Sequence, residues 1–290
     1  MAAVFMSKNE IYGNQKYLWI RRTKEFEFPP VNHYHDFYEV TYYRCLDKPS
    51  PIGKIFIGGN EYALSDRVIT VINAFEPHHL ILDPEANYER FCLNFDLSFL
   101  LAMSSDTTNL LYIFSQNKNS PIFSIDSEID ALIMDMINRY ANPPLNSGVD
   151  IFRKCTIGIL LSNLYNLCVN EESIVYDPDF KHIAMISKIV QYVNDHIYDN
   201  LSLETLSSVV NYSTYYVSRI FHQQTGISLV NYISMKRIDY AKILLSNNEF
   251  SITQISKMIG YENYNHFFRT FRESTGMSPK KYRELQQKND

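Results

Sequence analysis

The chain of 290 residues is poor in several features that would decide its class at once. It has no long uninterrupted apolar run. The longest stretch, "IGILLSNLYNLCV" from Ile157, is broken by Ser162, Asn163 and Asn166, which excludes a convincing membrane span. The start, "MAAVFMSKNE", lacks the charged opening and apolar core of a secretory leader, so a cytoplasmic protein without a membrane partner is expected. The four cysteines, Cys45, Cys92, Cys155 and Cys168, form no CxxC or comparable pair. That argues against a cysteine-held metal and for reduced, mostly buried thiols.

Strong net charge is also missing, but the −5 total conceals an uneven distribution. Residues 1–181 carry 15 Lys and Arg against 23 Asp and Glu, whereas residues 182–290 carry 12 against 9. An acidic first part joined to a basic last part assigns any polyanion to the last. The length exceeds what one core usually organises, so two domains are expected.

The segment "NEESIVYDPDFKH", residues 170–182, loses periodicity, mixes charges and contains a proline, and it reads as the linker. Before it, residues 1–169 show two patterns. From about 17 to 95, short runs rich in Tyr, Phe, Val and Ile ("FYEVTYYR", "KIFIGG", "RVITVIN", "RFCLNFD") are separated by turn formers, the signature of an antiparallel sandwich or small barrel. Over about 126–169 the period becomes helical, with stripes Ile129, Leu132, Ile133, Met136, Ile137, Tyr140 and Ile157, Leu160, Leu161, Leu164, Tyr165, Cys168. These two helices could cover the barrel or pair with a second subunit, and the latter makes a homodimer the expectation.

After the linker, one element occurs twice. Leu203, Leu206, Val209 and Val210 form an apolar stripe behind Ser202, and Ile252, Ile255, Met258 and Ile259 repeat it behind Ser251 at an offset of 49. Past the next turn the offset is 50, where Val217, Ile220 and Phe221 match Phe267, Thr270 and Phe271. Short helices joined by a tight turn, with both inner faces specified, predict helix-turn-helix units over about 202–225 and 251–275. Between them, about 229–246 reads as one helix of roughly 17 residues and about 26 Å. Such a rod could hold two recognition helices near the ~34 Å spacing of successive major grooves.

If the apolar residues face inward, Tyr215, Ser218, Arg219 and His222 face outward in the first unit, and Asn265, Phe268, Arg269 and Arg272 in the second. Arg can donate two bonds to guanine, Asn can pair with adenine, and an aromatic ring can touch a thymine methyl. Lys280 and Lys281 would supply phosphate contacts.

Residues 183–286 resemble the DNA-binding domain of the AraC/XylS family of bacterial transcription regulators. The resemblance is carried by "LSLETLSSVVNYSTYYVSRIFHQQTGIS", "YISMKRIDYAKILL" and "SITQISKMIGYENYNHFFRTFRESTGMSPKKYR". It implies contacts to promoter DNA from Tyr215, Ser218 and Arg219 in the first recognition helix and from Asn265, His266 and Arg269 in the second. Phe268 stands where such proteins more often have a small polar residue. An activator of this family would also touch RNA polymerase.

"HYHDFYEV", residues 33–40, is the most chemically loaded stretch of the first domain. On a continuous strand, alternation would point His33, His35, Phe37 and Glu39 one way, and "PHH" at residues 77–79 adds further imidazoles. These are metal-ligand types. The stretch resembles the first motif of a cupin barrel, with His78 or His79 where the second motif has its histidine. The sensor domains of AraC/XylS regulators are themselves cupin-like and bind small effectors without metal. "SDRVITVINAFEPHH" also lacks the glycines usual in the second motif. The resemblance therefore implies an effector pocket of His33, His35, Glu39, His78 and His79, with no metal and no cofactor. Simple hydrogen bonding of His33 and His35 within the barrel is the competing reading. Tyr34, Phe37, Tyr38, Tyr42 and Tyr43 suit a sugar, ahead of a fatty acid or other metabolite, although such residues also fill ordinary cores.

The fold class expected is α+β and multi-domain: a cupin-like β-barrel with following helices, then an all-α domain of two helix-turn-helix units joined by a linker helix. The function expected is an effector-controlled DNA-binding regulator and not an enzyme. The alternatives are a metal-dependent cupin enzyme fused to DNA-binding helices, and an effector-free dimeric regulator.

Overall fold

A computed structural model describes residues 4–5, 32–47, 49–105, 107–115, 121–144, 147–168, 180–247 and 249–286. Residues 17–31 of the expected barrel and 170–179 of the expected linker lie outside them. The described residues from 32 to Phe180 and those from Lys181 onward form two compact units.

In the first unit, strands β1 (His33–Tyr34), β2 (Tyr38–Cys45), β3 (Gly53–Ile57), β4 (Asn60–Leu64), β5 (Val68–Ile72), β6 (His78–Leu82) and β7 (Tyr88–Phe95) are followed by helices α1 (Leu97–Met103) and α2 (Tyr112–Ser115). Strand β8 (Ile122–Ser124) and helices α3 (Ser127–Ala141) and α4 (Val149–Cys168) complete it. The strands make two antiparallel sheets, containing β1-β6-β3-β4 and β7-β2-β5-β8 in those orders. Tyr43, Ile55, Leu64, Val68, Ile72 and Tyr88 form a shared core, so the sheets face one another.

Strands β2 and β7 are buried almost throughout because both of their faces are covered. The odd positions of β2 look toward the other sheet. Val40 and Tyr42, with Ile69, Phe91 and Leu93, instead meet Ile133 of α3 and Leu160 and Leu164 of α4. The aromatic residues near the His motif are therefore used in packing: Phe37, Tyr38, Tyr42 and Tyr43 are all buried, and Tyr38 meets Phe114 edge-on.

Helix α3 begins at Asp126, whose carboxylate caps the Glu128 and Ile129 amides. Its buried stripe contains Ile133, Met136 and Ile137, but Asp130 is buried as well. The Tyr42 hydroxyl donates to Asp130 at 2.6 Å, and the Arg44 and Arg67 Nε atoms lie 3.3 and 3.5 Å from its two oxygens. Burial, reinforced by that carboxylate, holds the Tyr42 phenol well above its usual range. The expectation of mostly buried thiols is corrected. Cys45 and Cys92 are buried between the sheets, Cys168 is half-buried, and Cys155 is exposed because it sits on the outer face of α4.

The second unit holds α5 (Phe180–Asp195), α6 (Leu203–Val210), α7 (Thr214–Thr225), α8 (Leu229–Ser246), α9 (Ile252–Met258), α10 (Tyr264–Thr275) and α11 (Pro279–Gln286). Helix α5 starts inside the segment read as linker. The pairs α6–α7 and α9–α10 flank α8, whose 18 residues span about 27 Å. Ile238, Ala241 and Leu245 of α8 pack with Ile255, Ile259, Phe267 and Phe271 of the second pair. At the other end Tyr232 meets Phe221 of the first pair. Arg237, midway along α8, donates to the carbonyls of Asp199, ahead of α6, and Gly260, in the turn between α9 and α10. A Cβ on Gly260 would lie 2.4 Å from the Arg237 guanidinium, and its φ of +79° also disfavours a side chain.

The "TG-x-S" repeat has a local explanation. Thr225 and Thr275 are buried at the ends of α7 and α10 and donate to the Phe221 and Phe271 carbonyls at 2.6 and 2.7 Å. The same hydroxyls accept the Ile227 and Met277 amides at 3.3 and 3.4 Å. Gly226 and Gly276 adopt left-handed conformations, φ +72° and +69°, and their amides close the last turn. Ser228 and Ser278 then accept the Asn231 and Lys281 amides to start the next helices.

Two predictions test this packing. Asp130→Ala should destabilise the protein by about 1–3 kcal/mol in denaturant titrations followed by circular dichroism, because it strands the buried Tyr42 phenol, while Arg44 and Arg67 keep Glu89 and Asp66. Asp135→Ala, which removes only the exposed Arg139 pair, should change stability by less than about 0.5 kcal/mol. Thr225→Val and Thr275→Val, nearly isosteric, should each cost about 1–2 kcal/mol in the same measurement.

Candidate functional site

Two groups of residues offer chemistry, one in each unit. In the first unit the continuous strand expected through His33 to Glu39 is interrupted. His33 pairs with His78 in one sheet, the chain crosses at residues 35–37, and Tyr38 begins the pairing of β2 in the other. His33, His35, Glu39 and His78 nevertheless meet inside, all with less than a tenth of their surface exposed. The crossing brings them together where simple alternation was expected to do so.

The turn before β6 fixes His78. Asn73 donates from its backbone and side-chain nitrogens to Glu76 Oε2, at 3.1 and 3.3 Å. Phe75 takes a left-handed conformation, φ +62°, and its amide donates to the His35 carbonyl. His78 Nδ1 lies 2.9 Å from the Glu76 carbonyl, and His35 Nδ1 lies 2.9 Å from the Phe37 carbonyl. A carbonyl only accepts, so each Nδ1 carries the proton and each Nε2 is turned to the interior. The His35 ring stacks on Phe37 at 3.7 Å, and the His78 ring centroid lies 4.8 Å from that of His35 and 4.2 Å from that of His33.

Glu39 Oε1 accepts the Thr41 hydroxyl at 2.8 Å, and Oε2 lies 3.4 Å from His35 Nε2. The ligand-type atoms of His35, Glu39 and His78 all fall within 4.8 Å of one another. Burial drives His78 down to about 3, with the neighbouring His35 adding to the effect, so its ring is neutral. Burial alone would raise the Glu39 carboxyl, but His35, His78 and Arg90 outweigh it and hold it well below the usual carboxylate range. With His78 neutral, Arg90 is the permanent positive charge acting on that carboxyl.

His79 does not join the cluster. Alternation along β6 turns it to the other face, where it stacks on Phe56 at 4.3 Å. The strand "YERFCLNF" instead contributes residues missed in the sequence. Asn94 stands opposite Glu39 and Cys92 opposite Thr41, both fully buried. Neither amide atom of Asn94 has a hydrogen-bond partner among the described residues. Their signal was Arg90, Cys92 and Asn94 at every second position of the strand.

In the second unit, α7 begins at Ser213, which caps the Tyr216 amide, and α10 begins at Asn263, which caps the Asn265 and His266 amides. Val217, Ile220, Phe221, Phe267 and Phe271 turn inward. Tyr215 is 76% exposed, Ser218 is half-buried, and Arg219 is exposed with its guanidinium 5.7 Å above the Tyr216 ring. On α10, Asn265, His266 and Arg269 are exposed, and the His266 ring lies edge-on to Tyr261. Phe268 is half-buried and sits 6.3 Å from Tyr264 of its own helix. Lys280 and Lys281 are exposed in the first turn of α11.

A family model described as "Helix-turn-helix domain" matches residues 206–285. The HTH-type transcriptional regulator YobQ of Bacillus subtilis is 35% identical over 94 residues, covering 32% of this chain and 39% of that protein. The arabinose operon regulatory protein of Escherichia coli is 32% identical over 99 residues, 34% of each chain. The aligned part thus spans well under half the length of either relative. Among solved structures, apo ToxT from Vibrio cholerae matches 94% of this chain and 98% of its own at a TM-score of 0.52 and 14% identity. Wild-type ToxT with unsaturated fatty acid bound matches 93% and 96% at 0.50 and 14%. These likenesses establish a shared fold, with antiparallel sheets in the N-terminal part and helices in the C-terminal part. Residues 206–285 of the chain carry a helix-turn-helix domain, similar there to transcription regulators that include the arabinose operon regulatory protein.

Proposed function

We propose that the chain is a sequence-specific DNA-binding transcription regulator controlled by a small molecule held in a cupin-like N-terminal barrel. The observation that carries the DNA-binding part is the matched exposure of Arg219 and Arg269 on two helices fixed to one rod. Helices α6–α7 and α9–α10 act as two helix-turn-helix units. Tyr215, Ser218 and Arg219 read one major groove, Asn265, His266 and Arg269 read the next, and Lys280 and Lys281 hold phosphate. The protein works in the cytoplasm; no helix among the described residues is long and apolar enough to cross a membrane. Ile151, Cys155 and Ile159, exposed at four-residue spacing on α4, provide the surface for a homodimer.

The effector reading rests on the buried polar end of the first unit. Glu39 and the Asn94 amide, the latter without a hydrogen-bond partner among the described residues, present acceptors and a donor in the register of one strand pair, suited to a molecule rich in hydroxyls. That supports a carbohydrate ahead of a fatty acid, although ToxT is solved with the latter. Control of transcription requires that the effector bind the active and inactive arrangements with different affinity.

A binding site selected from a random duplex library should be bound with steep salt dependence. Substituting Arg219→Ala and Arg269→Ala together should weaken binding by about 1–3 kcal/mol per arginine and relax selectivity at the positions they read. Unchanged affinity and selectivity in the double variant would remove α7 and α10 as readers. In thermal-shift screens, sugars should raise the unfolding midpoint of the wild type but not of Asn94→Ala. A response to fatty acids alone would reassign the effector class.

A further inference from the structure

The two outward-facing helices come from one repeat, yet the aromatic residues beneath their arginines are held differently. In the second helix pair the turn residue Tyr261 is buried, with the Arg237 guanidinium of α8 5.8 Å from its ring. The His266 ring of α10 lies edge-on to Tyr261 at 5.3 Å. In the first pair Tyr212 is the equivalent turn residue, at the offset of 49, and Tyr216 corresponds to His266 at the offset of 50. Tyr212 is exposed, and its ring stacks on that of Tyr216 at 4.9 Å. The hydroxyl of Tyr216 is secured from α5: a hydrogen bond of 2.8 Å joins it to His182 Nε2. A phenol and an imidazole can each donate or accept, so this bond forms with either ring nitrogen protonated.

Tyr216 in turn carries Arg219. The two are three residues apart on α7, and the guanidinium stands 5.7 Å from the ring centroid, within the range of a cation–π contact. Gln223 Oε1, one turn further on, is 3.5 Å from the same guanidinium, at the outer limit of a hydrogen bond. A ring gripped on its face by Tyr212 and at its hydroxyl by His182 is restrained in both tilt and direction, and it passes that restraint to the arginine. His182 lies in the first turn of α5, and the division between the two compact units falls between Phe180 and Lys181.

We propose that His182 and Tyr216 are positioning residues for Arg219, and that through them the first turn of α5 sets the base selectivity of the first recognition helix alone. The inference rests on the reading of α7 and α10 proposed above. An arginine selects guanine by presenting two donors at once to O6 and N7, so a change in the plane of its guanidinium costs selectivity at that base pair. Phosphate contacts made elsewhere are insensitive to it. The point where the chain enters the second unit therefore bears on one half of the DNA site and leaves Asn265, His266 and Arg269 as they are.

The test uses the full-length protein, a duplex selected from a random library, and every single-base variant of that duplex, with binding followed by fluorescence anisotropy. Arg219→Ala and Arg269→Ala first mark the base pairs that each arginine discriminates. Tyr216→Phe, which keeps the ring and loses only the hydroxyl, and His182→Ala should each lower discrimination about three- to tenfold at the base pairs marked by Arg219. Both should leave the base pairs marked by Arg269 unchanged. His182→Gln, whose amide can donate or accept, should retain most of the wild-type discrimination. In an Arg219→Ala background, Tyr216→Phe should have no further effect on selectivity, because the two act as one unit. Circular dichroism checks that each variant is folded, and should His182→Ala fail to fold, Tyr216→Phe decides. Undiminished discrimination in Tyr216→Phe and His182→Ala, where Arg219→Ala loses it, overturns this inference and leaves the reading of α7 standing. Equal losses at the base pairs marked by both arginines overturn it as well, since a general loosening of the helical unit acts on both. If Arg219→Ala itself discriminates as the wild type does, the reading of α7 and this inference fall together.

Discussion

The helical unit depends on what α8 can hold, and one side chain makes the dependence explicit. Arg237 reaches the backbone ahead of the first helix pair through the Asp199 carbonyl and the turn of the second pair through the Gly260 carbonyl. Charge-assisted hydrogen bonds to backbone are directional and stronger than neutral ones, so both attachments restrain orientation as well as distance. The apolar contacts of Tyr232 at one end and of Ile238, Ala241 and Leu245 at the other complete the grip. The outward faces of the two helix pairs are thereby referred to one rigid element. Gly260 follows from the same constraint, since the guanidinium occupies the space a side chain would need.

The first unit solves a different problem: it places charged and polar groups between two sheets without losing the core. The interior is divided along its length. Tyr43, Ile55, Leu64, Val68 and Tyr88 fill one part, and His33, His35, Glu39, His78 and Asn94 occupy another. The polar part survives burial because its members answer one another, through the Thr41 hydroxyl, the Phe37 and Glu76 carbonyls and the Arg90 charge. Among the described residues, the Asn94 amide and the His35 Nε2 remain without hydrogen-bond partners.

The helical unit was largely legible in the sequence because its signals are local. Ser202, Ser213, Ser251 and Asn263 cap helices within a few residues of themselves, and the buried stripe of each helix repeats at its own period. The outward residues then follow by subtraction. The β unit was legible in kind but not in detail. Alternation carries on in residue type through His35 and Phe37, so nothing marks the crossing between sheets. Arg67 and Phe75 take left-handed conformations without the glycine that normally announces them. Asp130 looks like an ordinary acidic residue in a first helical turn, and only the approach of Tyr42, Arg44 and Arg67 from strands far away in sequence makes it a buried hub.

The stops formed by Thr225 with Gly226 and by Thr275 with Gly276 close their hydrogen bonds inside seven-residue segments, from Phe221 to Ile227 and from Phe271 to Met277. Nothing outside the segment is needed to end the helix. Such a module is portable: a second copy can be inserted into a growing chain and terminate correctly before its new neighbours have adapted to it. The outer face of each copy is then free to drift in sequence without disturbing where its helix ends, and the two helices can come to present unlike surfaces while keeping the same frame.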